Sequence, residues 1–197
     1  MTLKEKITKT LQDTRVANID KMLRYMEQNG YYTCRSSSHN HWKGGASQHM
    51  WAVYLIAKAL RDQRLDEPII AKHALDQKLA IVCLLHDLCD MDVRVYDEEN
   101  KEVIGHGRKS RWIMKNIGVG TTAEQMAVLY HMHSFEWKAG TAEEVDEYKA
   151  LHSLITKADH LASGTAWNSS RFKESRTQRH GVPTKDISYL RAVAMDR

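Results

Sequence analysis

The chain is poor in the residues that interrupt helices or build extended sheet. Its 197 residues include only two prolines and ten glycines, and runs of β-branched residues are few. Long stretches are therefore free to follow helical periodicity, and the expected fold class is all-α. Cysteine is also scarce: Cys34, Cys83 and Cys89 are odd in number and lack paired metal-ligand spacing. That argues against a disulfide framework and for a reducing compartment. Cys83 and Cys89 sit around an apolar element, where a free thiol behaves as a small hydrophobe. No apolar run approaches the roughly 18 residues that span a bilayer. The opening MTLKEKITKT is charged and amphipathic, without the apolar core of a secretory signal. A cytoplasmic protein with no membrane partner is expected.

What is present fits a globular chain. Hydrophobic content is 42% and charged content 27%, ordinary for such proteins, and the length suits one domain over 1–197. A net charge of +4 and a pI near 8.9 favour anionic ligands but are too mild to specify nucleic acid.

Periodicity divides the chain. Residues 2–29 carry Leu3, Ile7, Leu11, Ile19, Leu23 and Met26 at near-helical spacing. Thr2 with Glu5 makes a capping box, and Gly30 a stop. A polar loop covers 31–45. Helical pattern returns at ASQHMWAVYLIAKALRDQ, and Pro68 opens another helix that runs on through His86. Residues 93–104 alternate about an acidic turn and predict a small β-hairpin insertion. Helices are predicted over about 106–117, 122–134 and 144–163, then a basic loop, then a short helix at DISYLRAVAM. The parts are thus an N-terminal helix (1–30), a core (39–163) and a basic C-terminal region (164–197).

Eleven histidines are many for this length. His49, His86, His106 and His131, with Asp87 and Asp159, each lie on or beside an apolar helical face. For any one histidine alone, a hydrogen-bonded packing role is the commoner reading. The stretch AIVCLLHD, residues 80–87, is harder to dismiss, because an unpaired carboxylate at the edge of a core is costly. Either Asp87 reaches solvent or a cation meets it. Asp159 in SLITKADHLAS repeats the theme beside Leu151, Ile155 and Ala158. His131 and His133 are two apart and point to nearly opposite sides of a continuing helix. His131, directly after AVLY, is the better ligand. His73, His152, His160 and His180 lie in polar surroundings and are expected at the surface.

The order of these residues, His49, then HD at 86–87, then Asp159, resembles the H…HD…D pattern of the HD superfamily of metal-dependent phosphohydrolases. Single-domain relatives of the HD-type 3′–5′ exoribonucleases are the nearest likeness. HNHWKGGASQHMWAV, IGHGRKS, LYHMHSFEW and ITKADHLAS resemble further segments of those proteins in the same order. The resemblance implies an all-α HD-domain bundle. By position, His49, His86, Asp87 and Asp159 would hold a first divalent metal, and Asp87 would bridge to a second completed by His106 and His131. Mn, Fe, Co, Ni or Zn suit such ligands, with Mg at the second position. Three departures stand out: HDLCD places Asp90 where a basic residue is common, Gln48 replaces a glutamate, and HMH replaces HH.

The activity so implied is hydrolysis of a phosphoester of a nucleotide or short oligonucleotide by a metal-activated water, with Asp87 central. Lys109, one turn after His106, is the first candidate to hold phosphate and Lys43 the second. Arg171, Lys173, Arg176, Arg179 and Lys185 make 171–185 basic, and a solvated loop is the favoured reading there. Two alternatives remain: a nucleotide-binding regulator without turnover, suggested by Asp90, and a di-iron oxygenase on the same ligands.

Overall fold

The computed structural model describes residues 1–36 and 40–163. The expected basic loop and short final helix, with His39 and His180, lie outside them. Among the described residues the structure is helical: α1 (Leu3–Asp13), α2 (Ile19–Gln28), α3 (Gly45–Asp62), α4 (Pro68–His73), α5 (Asp76–Leu85), a 3-10 turn (Leu88–Asp90), α6 (His106–Ile117), α7 (Thr122–Tyr130) and α8 (Ala142–Ala162). None is long and apolar enough to cross a membrane.

The helix α5 is central because its sequence offers no polar face. Residues Leu79 to Leu85 are all buried, as a helix apolar all round requires. The helices α1, α3, α7 and α8 pack against it, and α3 and α7 pack on α8. The helix ends are set locally. Thr2 with Glu5, Thr121 with Glu124 and Thr141 with Glu144 form reciprocal capping boxes that open α1, α7 and α8.

Three predicted elements are corrected. The single helix over 2–29 is two, broken between Asp13 and Ile19. Thr14 turns its hydroxyl onto the Leu11 carbonyl (2.6 Å), and Arg15 and Asn18 take positive φ, which ends the first helix. The helix from Pro68 breaks at Ala74 and Leu75. Asp76 then starts α5, held by Lys58 (2.9 Å) and Arg61 from α3, a favourable place for a carboxylate on the helix dipole. The expected hairpin is reduced to one isolated bridge, Tyr96 to Glu102, with no strand among the described residues. There the Asp97 carboxylate accepts the backbone N–H groups of Glu99 (3.0 Å) and Lys101 (2.9 Å), so the side chain closes a turn.

Candidate metal centre

Two helices end at the site, and each ends on a histidine. His86 is the C-terminal cap of α5 and His131 that of α7. A helix leaves its last carbonyls without partners, and each ring supplies one. Nδ1–H of His86 donates to the Cys83 carbonyl (2.9 Å), and Nδ1–H of His131 donates to that of Val128 (2.7 Å). A carbonyl only accepts, so the tautomer follows: Nδ1 carries the hydrogen and Nε2 is left facing inward. Tyr31 and His152 complete the same two ends. The Tyr31 hydroxyl donates to the Leu84 carbonyl (2.6 Å), and His152 Nε2 bridges the carbonyls of Tyr130 (3.0 Å) and His133 (2.9 Å).

Asp87 follows His86 directly, with the chain already off the helix (φ −108, ψ 32). Its side chain is 4% exposed, and its two oxygens face different partners. Oδ2 lies 3.3 Å from His86 Nε2 and 3.7 Å from His49 Nε2. Oδ1 lies 2.6 Å from His106 Nε2 and 3.5 Å from His131 Nε2. Asp159, on α8, brings Oδ1 to 2.9 Å from His49 Nε2 and 3.8 Å from His86 Nε2. The rings of His49, His86, His131 and His106 follow one another at centroid separations of 5.4, 4.9 and 5.3 Å.

The approach of His106 depends on a glycine. His106 is the first residue of α6, and a Cβ on Gly107 would lie 2.2 Å from the Leu129 carbonyl oxygen. Only a residue without a side chain lets α6 come this close to the end of α7.

The electrostatics describe a cation site. Every ion-pair partner of Asp87 and Asp159 among the described residues is an imidazole. Burial opposes charge on Asp87, yet the facing His86, His106 and His131 hold its pKa well below the carboxylate range. Asp159 is likewise lowered, against burial, by His49 and His86. Burial disfavours the charged form of His86, but Asp87 and Asp159 raise its pKa well above the usual value. His106 is raised to about 11, chiefly by Asp87, against its own burial. Without a cation, protons on these rings balance the carboxylates.

A divalent ion fits better than protons do. Nε2 of His86 and Nε2 of His131 are buried and make no well-formed hydrogen bond, although Asp87 oxygens lie nearby. At metal–ligand distances of about 2.1 Å, two ligand atoms on one ion stand about 3 Å apart when adjacent and at most about 4.2 Å apart. The separations about Asp87 and Asp159 fall near that window. Three groups of side chains have ligand atoms close enough to hold an ion: His49, His86 and Asp159; His86, Asp87 and His131; and Asp87, Cys89 and His106. The first two, buried and built of His and Asp alone, could hold a metal ion.

All six residues proposed as ligands from the sequence come together here. Lys109 does not join them: its ammonium lies 3.3 Å from the Cys89 carbonyl and 3.4 Å from that of Met91. Lys43 is exposed. His131 is buried and His133 exposed, and α7 stops at Tyr130, short of the predicted 134. Two histidines expected at the surface are not there: His73 is buried, and His152 packs its ring on Tyr148 at 5.0 Å. The sequence presents Cys89 as a packing residue, and no spacing rule marks it, since its neighbour His106 is 17 positions away. No family model, curated protein or solved structure gives a significant match to the chain.

Proposed function

We propose that the chain is a metal-dependent phosphohydrolase of the HD type, acting on a phosphoester of a nucleotide or short oligonucleotide. The observation that carries this reading is the split carboxylate of Asp87: one oxygen serves His49 and His86, the other His106 and His131. A carboxylate so divided suits two ions, one held with His49, His86 and Asp159 and one with His106 and His131. Bound there, such ions supply Lewis acidity toward phosphoryl oxygens and a nucleophilic water at neutral pH.

The chain's own residues do the rest. The carbonyls of Cys83 and Val128 fix two of the rings, so that Nε2 faces the ions with little reorganisation. Lys109 stands one turn from His106. An ammonium has three donors, so its two carbonyl contacts leave one for a phosphate oxygen. The mildly basic chain favours a phosphorylated partner.

A regulator that binds nucleotide without cleaving it is the second reading, favoured by Asp90 standing where a basic residue is common among the proteins it resembles. A di-iron oxygenase on the same ligands ranks third. The test is metal analysis followed by bis-p-nitrophenyl phosphate and nucleoside monophosphates with Mn(II) and with chelator. Metal-dependent release of product supports the hydrolase. Tight nucleotide binding without turnover supports the regulator, and iron with oxygen-dependent turnover supports the oxygenase.

A further inference from the structure

His86 and His131 stand at helix C-termini, where a carbonyl three residues back takes Nδ1–H. His106 stands at a helix N-terminus, where no such carbonyl exists. Its Nδ1 instead meets Cys89 Sγ at 3.1 Å, while Nε2 points to Asp87. Cys89 is itself clamped. Its N–H donates to Ser110 Oγ (3.0 Å), and its carbonyl accepts from Lys109 (3.3 Å). His106, Lys109 and Ser110 are spaced i, i+3, i+4 and so form one face of α6, which grips the 3-10 turn carrying Cys89.

We propose that Cys89 is a positioning residue for the second metal position: its sulfur accepts Nδ1–H of His106 and so commits Nε2 to the ion shared with Asp87. This rests on the two-ion reading above. Cys89 is not a ligand in this account. The two nitrogens of an imidazole lie on opposite sides of the ring, so an ion bound at Nε2 is remote from a sulfur at Nδ1. In the loaded centre Nε2 gives its lone pair to the ion, which leaves Nδ1 as the hydrogen-bearing nitrogen and sulfur as the acceptor. The thiol does for α6 what the backbone does for α5 and α7.

Removing the group that orients a metal-bound imidazole typically weakens the ion about 10- to 100-fold. The experiment is a stepwise Zn(II) and Co(II) titration of the full chain, its Cys89→Ala and Cys89→Ser variants and a His106→Ala control. It is combined with 15N spectra of the histidine rings in the Zn(II) form. The first ion should bind all four proteins within about threefold of one another. Cys89→Ala should weaken the second ion about 10- to 100-fold and shift the His106 Nδ1 resonance, leaving those of His86 and His131 in place. Cys89→Ser, which keeps an acceptor, should recover part of both. Unchanged second-ion affinity and an unmoved His106 resonance in Cys89→Ala would overturn the proposal, as would a thiolate-to-cobalt charge-transfer band in the parent. A parent that takes only one ion would defeat the two-ion reading instead, and the His106 resonance in Cys89→Ala would still decide the role of the sulfur.

Discussion

Asp87→Ala tests the centre at the side chain that both halves share. The substitution takes away the one carboxylate that reaches four imidazoles, leaving Asp159 as the remaining anionic ligand. Loss of a group that merely orients a ligand costs about 10- to 100-fold in affinity, so loss of a direct ligand should cost each ion at least about 100-fold, or about 2.7 kcal/mol. Folding must be separated from binding. In the metal-free chain Asp87 favours the charged form of His106 and shares that role at His86 with Asp159, and an uncompensated buried charge costs about 3–5 kcal/mol. Above about pH 7 that cost is largely avoided at His106, because an imidazole without a facing carboxylate returns toward an ordinary pKa near 6.5 and gives up its proton, while His86 keeps Asp159 as a partner (3.8 Å). At pH 8 the variant should therefore stay folded by circular dichroism, yet lose its metal on dialysis and its phosphoesterase activity with it. Near pH 5 it should melt well below the parent. Full metal occupancy in folded Asp87→Ala at pH 8 would refute the reasoning.

His106→Ala and His131→Ala should each lower occupancy toward one ion per chain and cut turnover, while His133→Ala, an exposed position, should match the parent in both. A silent His131→Ala with a damaging His133→Ala would mean that the end of α7 is wrongly placed. The metal-free chain should lose stability as pH rises. The pKa of His106 is raised from 6.5 to about 11, so its contribution is complete below about 6.5 and fades as pH climbs toward 11. Asp87, lowered from 3.8, contributes above that value and loses its contribution on acidification. Thermal melts should thus peak between about pH 4 and 6.5 without metal, whereas metal affinity should rise with pH as the rings shed protons; a flat melting profile over pH 6–10 would contradict this. Gly107→Ala should cost about 1–3 kcal/mol by overpacking, because its Cβ meets the Leu129 carbonyl at 2.2 Å. Chemical denaturation reads that cost, and parental stability would deny the close approach of α6 to α7.

Much of the helical frame is legible in the sequence, for local reasons. The capping box at Thr2 and the bounds of α6, between Gly105 and Gly118, follow from residues adjacent to the helix ends. The break at Ala74 and Leu75 carries no glycine or proline. There Lys58 and Arg61 of another helix pair with Asp76, and Arg61 also donates to the Ala74 carbonyl (3.3 Å), contacts no window of sequence contains. The alternation over 93–104 reads as two strands, yet the arms share only two backbone hydrogen bonds among the described residues, Val103 to Val95 (2.7 Å) and Asp97 to Lys101 (2.9 Å), and the Asp97 side chain takes the Lys101 N–H that a longer ladder would use. Apolar context singled out His49, His86, Asp87, His106, His131 and Asp159 because each borders a buried face. The supporting groups were less visible. His152 looks like a surface residue until the carbonyls of Tyr130 and His133 are placed beside it, and Cys89 looks like packing until α6 delivers His106 to its sulfur.

The central claim is that Asp87 joins two ions in one centre. Metal-stripped protein reloaded with Mn(II) tests this most directly, by counting bound ions and recording electron paramagnetic resonance alongside bis-p-nitrophenyl phosphate cleavage. Two ions per chain, spin coupling between them through the shared carboxylate, and activity that appears with the second equivalent are expected. One uncoupled ion at saturation, or cleavage that persists in the stripped protein, would contradict it.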